Sequence, residues 1–394
     1  MLKTRVWRRI IAMKDAHKAL LVGLSSRILV TAVIVLSSFV FAFRKNLVPD
    51  QSTLSIISLF DRWDSGYYIS IAKNGYPTGF SPLVKPEWAF FPFYPGTMKA
   101  ASYLFIPFTS SANSIDIAGF VISNFAFFVS VYLFYKLTNK IFKSTQIALI
   151  STVFFSFWGG AVFYSAIYSE ALFMALALAA FYYLEEDKLP AAALLGFLAA
   201  FTRSDGFLIC IPFLILALQS IKNKSKTLQL LGCSAIVAAP FLLFQLIGYE
   251  IAGGVFPISV IARELRWKVY PVLFQQFISI NPGYSVFYGV GLLLIFLPAV
   301  YSVARILPRS VWEEFKRQAG LLKYWGLYAS MMFILLFESS IYSTIRYALP
   351  MLPIYWVPAI IYAQNRRAGT AIFGVMTGML IIGCFLFEAR GYFM

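Results

Sequence analysis

The 394-residue chain is 60% hydrophobic and only 13% charged, with a formal net charge of +16 and a mean hydropathy of +0.76. Soluble domains carry roughly 25% charged residues, so the chain lacks the polar surface of a water-soluble fold. The basic excess does not indicate nucleic acid: Lys and Arg are scattered over short segments between apolar runs, with no polybasic stretch to lie along a duplex.

The apolar runs fall in chain order at 20–43, 115–137, 147–164, 170–184, 189–202, 206–221, 228–248, 284–304, 324–341, 348–363 and 369–387. A helix of about 20 apolar residues crosses a hydrocarbon core of about 30 Å. Helices are the natural choice because lipid offers no partner to backbone N–H and C=O groups. The expectation is one all-α domain over residues 1–394, a polytopic transmembrane bundle of about 11 spans, with the three short runs between Ile147 and Thr202 leaving the count open by about two. The first run is too long for a signal-peptide core and lacks a small-residue cleavage site, so it is read as a span. Residues 1–18 form a basic segment expected on the cytoplasmic side, which places most of the remaining Lys and Arg there too. Two long segments, 44–114 and 249–283, then face out.

Cys210, Cys233 and Cys384 sit in predicted spans, far apart in sequence, and read as buried small hydrophobes rather than a disulfide framework. The only histidine is His17, in the first cytoplasmic stretch. No histidine triad or histidine zinc site can be assembled on the outer face, so for an enzyme acting there a carboxylate is the base to expect first. Asp15, Glu185, Glu186, Asp187, Glu313 and Glu314 lie among cytoplasmic basic residues and read as solvated groups. Asp61, Asp64, Glu87, Glu170, Asp205, Glu250 and Glu264 fall on outer loops or outer span ends, with Arg62, Arg203, Arg263, Arg266 and Arg346. Ionisable groups at a membrane boundary often line a polar cavity.

The first outer segment contains FDRWDSGYYISIAKNGYP and PEWAFFPFYPG, whose prolines and aromatics indicate a packed interfacial loop with one or two short helices. Asp61 and Asp64, three apart, share a face if the stretch is helical, with Arg62 between them to offset their repulsion. Helix capping and interfacial anchoring are the bland alternatives for the pair. Trp63, Tyr67, Tyr68, Trp88, Phe91 and Tyr94 are suited to a platform for a sugar face or a lipid chain, and equally to interfacial anchoring. The second outer segment, with IARELRWKVYPVLFQQF, reads as an amphipathic helix on the membrane. No D-x-D motif, phosphate-binding P-loop or dinucleotide fingerprint occurs. No metal set is assigned, although Asp61, Asp64 and Glu87 are oxygen donors of the kind a divalent cation takes.

RWDSGYYISIAKNGYP followed by EWAFFPFYPG resembles the first outer loop of the PIG-V family, dolichyl-phosphate-mannose-dependent enzymes that add the second mannose in GPI-anchor assembly. Residues 164–208 carry a similar YSE-A-LF pattern and then an R-S-x-G turn, and SSIYSTIRYALPMLPIYWVPA is similar to the family's late segment. Asp205 stands in the R-S-x-G turn where the family pattern leads one to expect Asn. The resemblance implies a GT-C-class membrane glycosyltransferase without a cofactor, taking mannose from a polyprenyl-phosphate-mannose donor to a lipid-linked or GPI-like glycan with inversion.

It implies Asp64 as general base, with Asp61 as the second choice, and Arg203 and Arg346 on the donor phosphate. A guanidinium fork suits phosphate oxygens, though each arginine also reads as a snorkelling interfacial residue. Glu87, Glu170, Asp205, Trp63, Tyr67 and Trp88 are the candidates for sugar or acceptor contacts. The expected location is the plasma membrane in a prokaryote or the endoplasmic reticulum membrane in a eukaryote, with an extracytoplasmic site. The rival readings are a lipid or sugar transporter or flippase, which predicts paired interrupted helices in two related halves, and a non-catalytic subunit of a membrane glycosylation complex. A small membrane subunit is a candidate partner.

Overall fold

A computed structural model describes residues 15–44, 56–78, 86–264, 282–306, 319–337 and 343–391, and among these the regular structure is entirely helical. The first third holds α1 (Asp15–Arg44), two short loop helices α2 (Ser65–Asn74) and α3 (Phe93–Ser102), then the long α4 (Ser111–Phe142). The middle holds α5 (Thr145–Ser156), α6 (Glu170–Glu185), α7 (Leu189–Ala200), α8 (Cys210–Gln219), α9 (Lys224–Ile251) and α10 (Pro257–Glu264). The last third holds α11 (Pro282–Ile306), α12 (Leu322–Phe337), the single turn α13 (Thr344–Tyr347), α14 (Pro353–Gln364) and α15 (Arg366–Gly391).

A helix occupies each predicted span, but only α1, α4, α9 and α15 are, among the described residues, long and apolar enough to cross a membrane. Helix length and composition thus support four of the roughly 11 expected crossings. The shortfall lies in α5 to α8 in the middle of the chain and in α11, α12 and α14 after it, and α5 shows its cause. A helix the length of α5, 12 residues, spans only ~18 Å at 1.5 Å per residue. It stops at Phe157, where Trp158, Gly159 and Gly160 turn the chain into a 3-10 segment over Ala161–Tyr164. Hydropathy extends the run through these buried residues; the backbone does not.

Irregular backbone in an apolar interior must find its hydrogen bonds within the protein, and here it does. Arg27 of α1, buried inside the bundle, donates to the Ala161 carbonyl at 2.8 Å and to Ser165 Oγ at 2.9 Å, with its guanidinium 4.1 Å over the Phe127 ring. The Ile345 carbonyl accepts from Trp158 Nε1 at 3.1 Å, and the Ile167 N–H reaches the Phe60 carbonyl at 3.2 Å. Gly160 is needed where it stands, since a Cβ there would lie 2.9 Å from the Ile345 carbonyl oxygen.

The 44–114 loop ends sooner than expected: Ser110 caps α4, its side chain accepting from the Asn113 N–H. Of the second outer segment, α9 runs on to Ile251 and α10 is described, while Arg266 and residues 265–281 lie outside the described residues. Val260 and Ile261 of α10 pack on Trp88, Phe91 and Phe244, so this short amphipathic helix covers the first loop as well as any surface beyond it. The three cysteines are free and buried, as expected. Leu24, Ile28 and Leu36 on α1 and Leu242 and Leu246 on α9 stay exposed, an apolar outer face suited to lipid.

Candidate active site

A 3-10 turn over Ser58–Phe60 is followed by a break and then by α2, which starts just after Asp64. At the break Trp63 adopts φ +58°, the left-handed region that costs a non-glycine residue about 1–3 kcal/mol. Contacts on both sides hold it. The Trp63 indole donates to the Phe387 carbonyl at 3.0 Å, and the Tyr168 hydroxyl donates to the Arg62 carbonyl at 3.1 Å while accepting from the Asp64 N–H at 3.0 Å. The Asp64 side chain makes no capping bond to α2. It turns instead to Arg346, whose Nη1 donates to Oδ2 at 2.5 Å, so the capping alternative for this residue fails.

Arg346 is the hub of a larger cluster. Its Nε pairs with the buried Glu170 at the start of α6, and Arg203, from the turn after α7, pairs with the same Glu170 oxygen through Nη1. Arg203 Nε also donates to Asp205 at 2.9 Å. Three carboxylates, Asp64, Glu170 and Asp205, thus hold two guanidiniums from separate parts of the chain. Glu170 is 1% exposed, and its second oxygen has no hydrogen-bond partner among the described residues. Buried charges of this kind persist only when paired.

The cluster forms one wall of a cleft lined by Asp64, Tyr67, Tyr68, Phe90, Arg203 and Arg346. Beside it, sharing Ser204, Ile261 and Tyr347, lies an apolar chamber walled by Phe207, Phe241, Met331, Ile334 and Leu335, with Asp205 also on its lining. A third cavity meets the cleft at Asp64, Ser343 and Arg346 and is also lined by Trp63, Phe163 and Tyr288.

Of the residues singled out in the sequence, Asp64, Arg203 and Arg346 converge on the cleft, with Tyr67, Tyr68 and Phe91 on its wall and Asp205 at its edge. Glu170 sits behind the arginines as their shared counter-ion. Glu87 accepts from Ser70 at 3.4 Å, and Trp88 is buried with Tyr76 and Phe244, its indole on the Pro77 carbonyl at 3.2 Å; neither lines the cleft. Tyr94 is buried with its hydroxyl on Ser123.

Asp61 departs most from expectation. The stretch is not one helix, so Asp61 and Asp64 do not share a face: Asp61 opens on a different cavity, with Thr109, Asn113 and Asp116. Arg62 does not bridge the two carboxylates but pairs with Glu388 at 3.0 Å. Burial, and after it the Asp116 carboxylate, push the Asp61 carboxyl above its usual range, with Arg62 and Lys73 opposing. A raised native value means the folded state holds its proton longer than the unfolded one, so stability falls as pH rises from the ordinary carboxylate range through that value. Asp61→Asn is therefore expected to melt above wild type at neutral pH, with the gap closing in acid and transferase activity kept. Melting curves across pH on the purified protein check this.

The sequence reading missed Tyr168, Ser169 and Glu388. Tyr168 and Ser169 stand in the quoted YSE pattern, and the Ser169 hydroxyl bonds that of Tyr68 at 2.8 Å. Glu388 follows directly on the last apolar run.

Residues 30–352 match the family model described as Mannosyltransferase (PIG-V). The chain belongs to this family. Every residue of the Asp64, Glu170, Arg203, Asp205 and Arg346 cluster lies inside the matched stretch. Among curated relatives, GPI mannosyltransferase 2 of Schizosaccharomyces pombe is 25% identical over 349 residues, 82% of this chain and 70% of that one. GPI alpha-1,6-mannosyltransferase 2 of Cricetulus griseus is 29% identical over 215 residues, 51% of this chain but only 42% of that protein.

A crystal structure of the Archaeoglobus fulgidus oligosaccharyltransferase in the apo form superposes with a TM-score of 0.51 at 14% identity, covering 91% of this chain and 55% of that one. The likeness is one of fold. This PIG-V family member is accordingly a membrane glycosyltransferase of the mannosyltransferase kind.

Proposed function

We propose that the protein transfers mannose from a polyprenyl-phosphate-mannose donor to a hydroxyl of a lipid-linked or GPI-like glycan, with Asp64 as general base. The observation that carries this reading is the adjacency of a polar cleft, holding a carboxylate and two arginines, to an apolar chamber. A polyprenyl phosphate sugar has the same two parts: its chain suits the chamber and its phosphosugar the cleft.

Asp64 takes the proton of the acceptor hydroxyl as that oxygen attacks the anomeric carbon. The bond from that carbon to the phosphate oxygen breaks, and the electron pair leaves with the polyprenyl phosphate. The leaving group is already a stable anion, so no general acid is called for. Arg203 and Arg346 meet the phosphate; each guanidinium has five N–H donors, which the carboxylates on Nε and Nη1 do not exhaust. Tyr67, on the cleft wall, meets the sugar, with the buried Tyr68 packed behind it. Attack opposite the leaving group converts a β-linked donor into an α-linked product. The active site faces away from the cytoplasm.

The test supplies purified protein with radiolabelled polyprenyl-phosphate-mannose or GDP-mannose, in each case with a lipid extract of the host as acceptor. Label should enter a new glycolipid from the lipid donor alone. Equal transfer from GDP-mannose, or failure of the folded protein to bind the lipid donor, would overturn the proposal.

A further inference from the structure

The turn that carries Asp64 is fastened from the far end of the chain. Glu388, in the last turn of α15 and 0% exposed, receives two hydrogen bonds from the Arg62 guanidinium, Nη2 to Oε1 at 3.0 Å and Nε to Oε2 at 3.3 Å. The same guanidinium reaches back through Nη1 to the Ser58 carbonyl at 2.7 Å. One residue earlier on α15, the Phe387 carbonyl takes the Trp63 indole N–H. Both residues that precede Asp64 are thus tied to the end of one helix, and one of them is the residue with positive φ. A two-point carboxylate–guanidinium contact fixes orientation as well as distance. Glu388 also lies beyond residues 30–352, the stretch matched by the family model.

We propose that Glu388 is a positioning residue for mannosyl transfer: through Arg62 it sets the 62–64 turn and with it the placement of the Asp64 carboxylate in the cleft. Glu388 touches no cleft residue among the contacts described, and no step of the reaction passes through it. The proposal rests on the reading of Asp64 as the base.

The experiment measures kcat and KM per mole of folded protein, judged by monodispersity and melting, for Glu388→Gln, Arg62→Lys, the exchanged pair Arg62→Glu with Glu388→Arg, and Asp64→Asn as reference. A displacement of about 1 Å in a reacting group costs on the order of 100-fold in rate. Glu388→Gln and Arg62→Lys should therefore lose ~10- to 100-fold in kcat, with KM for the lipid donor unchanged, and the exchanged pair should recover part of the loss. Arg62→Lys keeps the charge and most of the side chain, so it serves where Glu388→Gln fails to fold.

Unchanged kcat in folded Glu388→Gln or Arg62→Lys, beside an inactive Asp64→Asn, would overturn this inference and leave the base standing. So would a loss that follows only the yield of folded protein. Full activity in Asp64→Asn would instead remove the base assignment on which it rests.

Discussion

Asp64→Asn is expected to lower kcat by about 100- to 10,000-fold, the range a general base contributes, while the lipid donor still binds. Asn has nearly the shape of Asp and keeps an oxygen that can accept the Arg346 Nη1 bond now made to Oδ2. The arginine cluster should therefore survive, and what is lost is the capacity to take a proton. Equal falls in kcat and in kcat/KM would mark an interaction made only in the transition state. Single-turnover transfer with donor binding measured separately gives the answer. A variant that binds donor normally and transfers at the wild-type rate would remove Asp64 from the chemistry, and Asp61, in its separate cavity, would be the next carboxylate to test.

Glu170→Gln should be the more damaging change to the fold. Removing one partner of a buried pair leaves an uncompensated charge and costs about 3–5 kcal/mol, and Glu170 is the partner of two guanidiniums at once. Gln leaves the two cations facing each other with only Asp64 and Asp205 to balance them. The expected result is a large loss of stability in denaturant or thermal unfolding, together with a fall in donor affinity as both arginines shift. A role as direct acceptor of a sugar hydroxyl predicts something else: near-normal stability and a change confined to KM. Unfolding and donor binding measured on the same preparation separate the two.

The parts of the site that could be read in advance were those whose chemistry sits in one short stretch. Asp64, Arg203 and Arg346 each stand in a short local pattern, Asp64 within the first outer segment and the two arginines beside apolar runs, and the cleft unites them. What could not be read was set by long-range pairing. Glu170 is 33 positions from Arg203, and Asp64 is 282 from Arg346, so nothing in the spacing says that the glutamate serves arginines rather than sugar. The Asp61 and Asp64 pairing presumed a helix, which Trp63 interrupts with a backbone conformation no propensity predicts. Hydropathy marked the right segments for helices, but it follows composition and passes over Gly159 and Gly160, where α5 has already ended. Glu388 was passed over because its partner, Arg62, is 326 positions away.

The three carboxylates and two guanidiniums of the cluster leave one negative charge in excess while all are ionised. In the proposed reaction that excess changes through the cycle. A phosphodiester donor arrives with a single charge. As transfer proceeds Asp64 gains the acceptor's proton, and the cluster becomes neutral while the leaving phosphate gathers its second charge, since a phosphomonoester carries about −1.5 to −2 near pH 7. Once Asp64 gives up that proton, the restored negative charge faces a product more anionic than the substrate was. The carboxylates behind the two arginines then repel the spent carrier lipid more strongly than they did the donor, so deprotonation of the base would help to clear the cleft as well as reset it.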